Sequence, residues 1–97
     1  MSAKKKFEAI ESYLKTYFPG STIEQKDDFD RGAQTFKVHL TDSTLLLKVG
    51  GELTEDNTLE EILRLFDQWA LADILGKETE LGVLATRRGL ETFRRGT

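Results

Sequence analysis

The sequence predicts an α+β domain of two layers, an antiparallel sheet of three to four strands with helices packed on one face, in the order αβββαβ(α). Three observations carry this reading. A run of helical period opens the chain, a run of period two occupies residues 34–50, and a second helical run follows two consecutive glycines.

Phe7, Ile10, Leu14, Tyr17 and Phe18 recur at offsets of three, four and seven, so they share one helical face, with Glu8, Glu11 and Lys15 turned outward. Pro19-Gly20 stops this helix. Ser2 is a candidate N-cap, but Lys4, Lys5 and Lys6 oppose the helix dipole, and a frayed basic start over residues 1–6 is expected.

Between residues 34 and 50, Phe36, Val38 and Leu40 alternate with Thr35, Lys37, His39 and Thr41. Leu45, Leu47 and Val49 likewise alternate with Thr44, Leu46 and Lys48. With Asp42-Ser43 as the connection, Leu40 faces Leu45, Val38 faces Leu47 and Phe36 faces Val49. The same register puts Lys37 opposite Lys48 and His39 opposite Leu46 on the outer face. Residues 21–27 read as a weaker strand, joined through Asp28-Phe29-Asp30-Arg31-Gly32, with Ile23 opposite Val38 and Glu24 opposite Lys37.

Leu59, Ile62, Leu63, Phe66, Trp69, Ala70 and Ile74 predict one helix, capped by Asn57 or Thr58 and ended by Gly76. Leu65 and Ala72 widen its apolar arc to about 200°, more than one sheet covers. Asp73 falls within that arc and calls for an arginine partner from residues 87–95. Leu81, Val83 and Ala85 then predict a fourth strand, and Leu90 and Phe93 a short last helix capped by Thr86.

A chain of 97 residues suits a single domain, here residues 1–97. Without cysteine there is no disulfide, thiolate nucleophile or cysteine-ligated zinc, and a domain of this size without staples suits the cytoplasm. Glu8, Glu11 and Lys15 interrupt what would be the apolar part of a signal peptide, and no apolar run approaches the roughly 20 residues of a membrane helix. Charge is unevenly placed. Residues 1–6 hold three lysines and residues 87–97 four arginines against one glutamate, so a net charge of −3 leaves −9 in between.

His39 is the single histidine, and on the outer face of a strand it has no acid, nucleophile or oxyanion site beside it. Asp27-Asp28-Phe29-Asp30-Arg31-Gly32 fails the spacing of a calcium loop, because Ala33 stands where that loop needs glycine. No phosphate-cradling glycine motif or serine elbow occurs, so no catalytic residue, cofactor or metal is expected. Two surfaces remain. Leu65, Trp69, Ala72, Leu90 and Phe93 form a candidate protein interface, since aromatics favour interface centres. Lys37, His39 and Lys48 on the sheet, with Arg87, Arg88, Arg94 and Arg95 at the end, form a candidate anion contact.

The leading order α-β-β-β-α resembles that of the double-stranded RNA-binding domain, which would imply RNA as ligand. Where that family carries a lysine cluster, this helix begins with Glu55, Asp56, Glu60 and Glu61. The expectation is therefore a noncatalytic protein-interaction or regulatory module that binds another protein or a second copy of itself. An accessory nucleic-acid binder using the basic termini and outer sheet face ranks second, and an enzyme with an unfamiliar site third.

Overall fold

A computed structural model describes residues 3–28 and 33–94. Helix α1 (Ala3–Tyr17) leads into β1 (Thr22–Asp28), β2 (Ala33–His39) and β3 (Thr44–Gly50). Three helices follow, α2 (Gly51–Asp56), α3 (Leu59–Gln68) and α4 (Leu71–Lys77), then β4 (Leu81–Thr86) and β5 (Gly89–Arg94). The α+β class holds. The sheet has five strands in the order β1-β2-β3-β4-β5 and is mixed, because β3 and β4 run parallel, so both the strand number and the all-antiparallel expectation are corrected. Parallel neighbours need a crossover, and α2, α3 and α4 supply it.

The β1–β2 pairing follows the sequence pattern, with Ile23 opposite Val38 and Glu24 opposite Lys37. The β2–β3 register is displaced by two residues. Leu40 donates its N–H to the Ser43 carbonyl at 2.8 Å, which closes the turn over residues 40–43. Val38 therefore faces Leu45, Phe36 faces Leu47 and Gln34 faces Val49. A shift of two keeps every side chain on its face. It also separates the lysines, with Lys37 opposite Leu46, Lys48 opposite Thr35 and His39 opposite Thr44.

The long helix expected after Asn57 is three helices. Asn57 donates from Nδ2 to the Leu53 carbonyl and closes α2, whereas Thr58 and Glu61 exchange the two bonds of a capping box and start α3. Ala70 then turns left-handed at φ 54°, ψ 44° and ends α3, so Gly76 lies within α4 rather than at its end. The wide apolar arc belongs to two helices with different inward faces. Ile62 and Phe66 of α3 and Leu71 and Leu75 of α4 are fully buried, while Asp73 is exposed and needs no buried partner. On α1 the expected face is corrected at one position, since Tyr17 is 49% exposed. Tyr13 turns toward α3 instead, with its ring 5.5 Å from that of Phe66.

The expected last helix is strand β5. Thr86 caps a hairpin turn, accepting from the Arg88 N–H and donating to the Gly89 carbonyl, and Gly89 takes φ 132°, which a side chain disfavours. The resulting order is αβββαααββ.

All the helices that touch the sheet do so on one layer, where Phe36, Val38, Leu45, Leu47, Val49, Val83 and Ala85 are completely buried. Seven such side chains make a core adequate for a small domain. Its margin near β1 is polar but satisfied, as Gln34 donates to Gln25 and Gln25 donates to Glu11. No helix among the described residues is long and apolar enough to cross a membrane.

Candidate functional site

Strand alternation and register fix what lies on the sheet face turned away from the helices. One row across it carries Glu24 of β1, Lys37 of β2 and Leu46 of β3; the next carries Lys26, Thr35, Lys48, Leu84 and Glu91. Phe93 of β5 pairs with Gly82 of β4 on this face. Among the described residues no helix packs here, and Leu46, Lys48, Leu84 and Phe93 are all half-buried.

The two sides of this face differ. Over β1 and β2 the groups answer one another: His39 Nε2 lies 3.0 Å from Glu24 Oε1 and its Nδ1 3.3 Å from Thr44 Oγ1. The hydrogen bond from His39, aided by the Lys37 charge, holds the Glu24 carboxyl below the usual carboxylate range.

Over β3 to β5 the surface is apolar. The Phe93 ring lies flat against the bare Cα of Gly82, where a β-carbon would come within 2.2 Å of the ring. An aromatic side chain covering a cross-strand glycine restores the packing that glycine lacks. The Lys48 ammonium stands 5.0 Å from the centre of the same ring, a cation–π distance. Leu84, between Lys48 and Glu91 in register, completes the patch.

Beside this patch lies a cleft of about 610 Å³ that runs from Phe93 and Arg94 of β5 past Lys48 and Leu84 to Gly50, Thr86 and α2. Leu53, Leu84 and Phe93 give its apolar lining, and Lys48, Arg87 and Arg94 its cations. Arg87 is tied to α2, with Nε 3.3 Å from Glu52 and a guanidinium nitrogen 3.8 Å from Asp56. Glu52 and Glu55 line the same cleft, so its lining carries charges of both signs.

The structure divides the expected protein interface. Leu65, Trp69 and Ala72 are half-buried, with Leu65 and Trp69 packed against the core. Leu90 pairs with Ala85 and packs on the core side of β5, whereas Phe93 is on the opposite face. Phe93 is thus separated from the helical residues and brought to Lys48, one of the expected anion contacts. Of the other anion contacts, Lys37 and His39 share the outer face, Arg87 is paired to α2, Arg88 is exposed in the β4–β5 turn, and Arg94 lines the cleft. Arg95 lies outside the described residues, as do Ser2, Phe29, Asp30, Arg31 and Gly32.

Sequence reading placed Leu46 outward but gave it no role, and passed over Gly82 and Leu84. Leu46 and Leu84 sit out of phase with the buried leucines and valines beside them, which is the signal of outward apolar residues. Among the described residues no group of His, Asp and Glu is placed to hold a metal ion. No protein-family model matches the chain, and comparison with curated proteins and with solved structures returned no match.

Proposed function

We propose that the protein is a noncatalytic interaction module that docks a protein partner on the outer face of β3, β4 and β5. One observation carries the reading: Leu46, Leu84 and Phe93 form an apolar patch on a sheet face that no described helix covers. Lys48 adds positive charge against the Phe93 ring and Lys26 lies in the same row, while Glu91 is an acid in that row. A partner segment with apolar side chains flanked by Asp or Glu complements such a surface. The helical flank at Trp69, the interface expected from sequence, offers less, because its tryptophan is already packed against the core.

A displayed library of random peptides, selected against the wild-type chain, tests this. Peptides combining apolar and acidic residues should be enriched, and Leu84→Lys should weaken the selected binders at least ten-fold while leaving the melting temperature unchanged. Failure to enrich any peptide, or binders indifferent to Leu84→Lys, would refute the proposal.

Nucleic-acid binding is the second reading, favoured by the pairing of Phe93 with Lys48, since a ring beside a cation is how sheets stack bases. Glu24 and Glu91 on the same face oppose it. Its signature is binding to single-stranded RNA at low salt that falls steeply as salt rises.

A further inference from the structure

We propose that the paired rings of Tyr13 and Tyr17, together with the Asp67 carboxylate, form a binding site for an alkylated ammonium group. The site lies among α1, α3 and α4, on the layer opposite the docking face, so it is independent of any partner docked there.

The tyrosines divide unequally between core and water. Tyr13 is half-buried, its ring 5.5 Å from that of Phe66, whereas Tyr17 is the one large apolar side chain left exposed among the described residues. The two rings stand 4.7 Å apart and inclined by 48°, so they open as a wedge rather than stack. Tyr17 donates from Oη to Asp67 Oδ1 at 3.2 Å. Burial and the Asp67 charge push the Tyr13 phenol up, and the hydrogen bond to Asp67 raises that of Tyr17, so both remain protonated donors with neutral rings. Two hollows flank this wall, about 150 Å³ toward Ala70, Ala72 and Asp73 and about 510 Å³ toward Ala9, Thr16 and Leu63.

Electrostatics set the sign of the ligand. Asp67 sits in the last turn of α3, at the negative end of the helix dipole, where an acid is unfavourable, and that turn holds no basic residue. The phenols hydrogen-bond this carboxylate without neutralising it. Asp73 adds a second acid at the smaller hollow. Of the cations on the same helices, Lys15 is paired with Glu11, and Arg64 and Lys77 make no ion pair with Asp67 or Asp73 among the described residues.

The rings set its form. An ammonium centre against the exposed Tyr17 ring meets the negative face of the aromatic system and the Asp67 charge together. Alkyl groups on the nitrogen suit the site better than bare N–H groups, because Asp67 already accepts from Tyr17 and a ring face accepts no strong hydrogen bond. The Ala72 N–H, the donor best placed to oppose a cation, is engaged by the Tyr13 hydroxyl. An anion in either hollow meets Asp67 and is repelled.

The probe is choline, compared with 3,3-dimethyl-1-butanol, in which carbon replaces the charged nitrogen, each titrated into the ¹⁵N-labelled chain and followed by amide shifts. Choline should give saturable shifts centred on Tyr13, Tyr17 and Asp67, with the neutral alcohol about ten-fold weaker. Asp67→Asn keeps an acceptor for the Tyr17 hydroxyl but removes the charge, so it should weaken choline about ten-fold and leave the alcohol unchanged. Tyr17→Leu, at an exposed position, should abolish choline binding while the chain stays folded. Should Tyr17→Leu disturb the fold, Asp67→Asn alone decides. Acetylated trimethyllysine amide, titrated in parallel, separates the two sources of such a group: tighter binding of choline assigns a free cation, tighter binding of the lysine derivative a partner's side chain. Absence of saturable shifts, shifts centred elsewhere, equal binding of choline and the alcohol, or an Asp67→Asn variant with wild-type affinity would overturn the proposal.

Discussion

The outer face of the sheet is two surfaces built on one scaffold. Over β1 and β2, Glu24, Lys37, His39 and Thr44 neutralise or hydrogen-bond one another. Over β3 to β5, Leu46, Leu84 and Phe93 are held half-exposed around Gly82, with Lys48 against the ring. Both surfaces avoid unsatisfied buried polar groups, but they do so differently. Cross-strand polar pairs need nothing from outside. Apolar area left beside water is lowered in free energy by whatever covers it, and this difference is why the docking site is proposed on one half of the face rather than on the whole.

The comparison can be broken first by contrasting two phenylalanines. Phe36→Ala removes a fully buried ring and should cost about 3–5 kcal/mol in urea denaturation. Phe93→Ala removes a half-exposed one and should cost only about 1 kcal/mol, from the lost cross-strand and cation–π contacts. Comparable losses would mean that the outer face is covered.

Gly82→Ala sharpens the picture at about 1 kcal/mol. Its new methyl displaces the Phe93 ring, which can swing toward solvent, so the cost lies at the low end for overpacking. In a Phe93→Ala background the same change should become neutral or stabilise by about 0.5 kcal/mol, because alanine suits a strand better than glycine. A double-mutant cycle reads this reversal, and additivity would show that the ring does not lie on the glycine.

The smallest effect concerns the charged half. The Glu24 carboxyl titrates below its ordinary value of 4.5, so its contribution to stability is present above that pH and is lost as pH falls through the depressed value. His39→Ala should raise the Glu24 titration toward 4.5, and Lys37→Gln should raise it less, as observed by carboxyl ¹³C shifts. An unchanged titration in both variants would deny the cross-strand pairing.

Legibility in the sequence followed how local each decision was. The β1–β2 register and the inward phase of Phe36, Val38, Leu45, Leu47 and Val49 were readable because period two and a short loop leave few alternatives. The two-residue slip at the β2–β3 turn was not, since Leu40 at the turn is as apolar as the residues it displaces and either register keeps the faces. Helix α3 and α4 read as one because nothing in Trp69-Ala70 signals a break; alanine is the best helix former, yet the exposed Ala70 is left-handed between the fully buried Phe66 and Leu71. Strand β5 was mistaken for a helix because Leu90 and Phe93 stand three apart, while the turn that decides the matter rests on Thr86 and Gly89. The patch was hidden for the same reason. Its two halves, Phe93 and Lys48, come from strands brought together only by the parallel pairing of β3 with β4.

Three consecutive leucines on β3 allow the most direct test. Relaxation of the leucine methyl signals by a neutral, soluble gadolinium chelate should strongly attenuate Leu46, and Leu84 with it, while Leu45 and Leu47 stay protected. Equal protection of all four would contradict an open outer face.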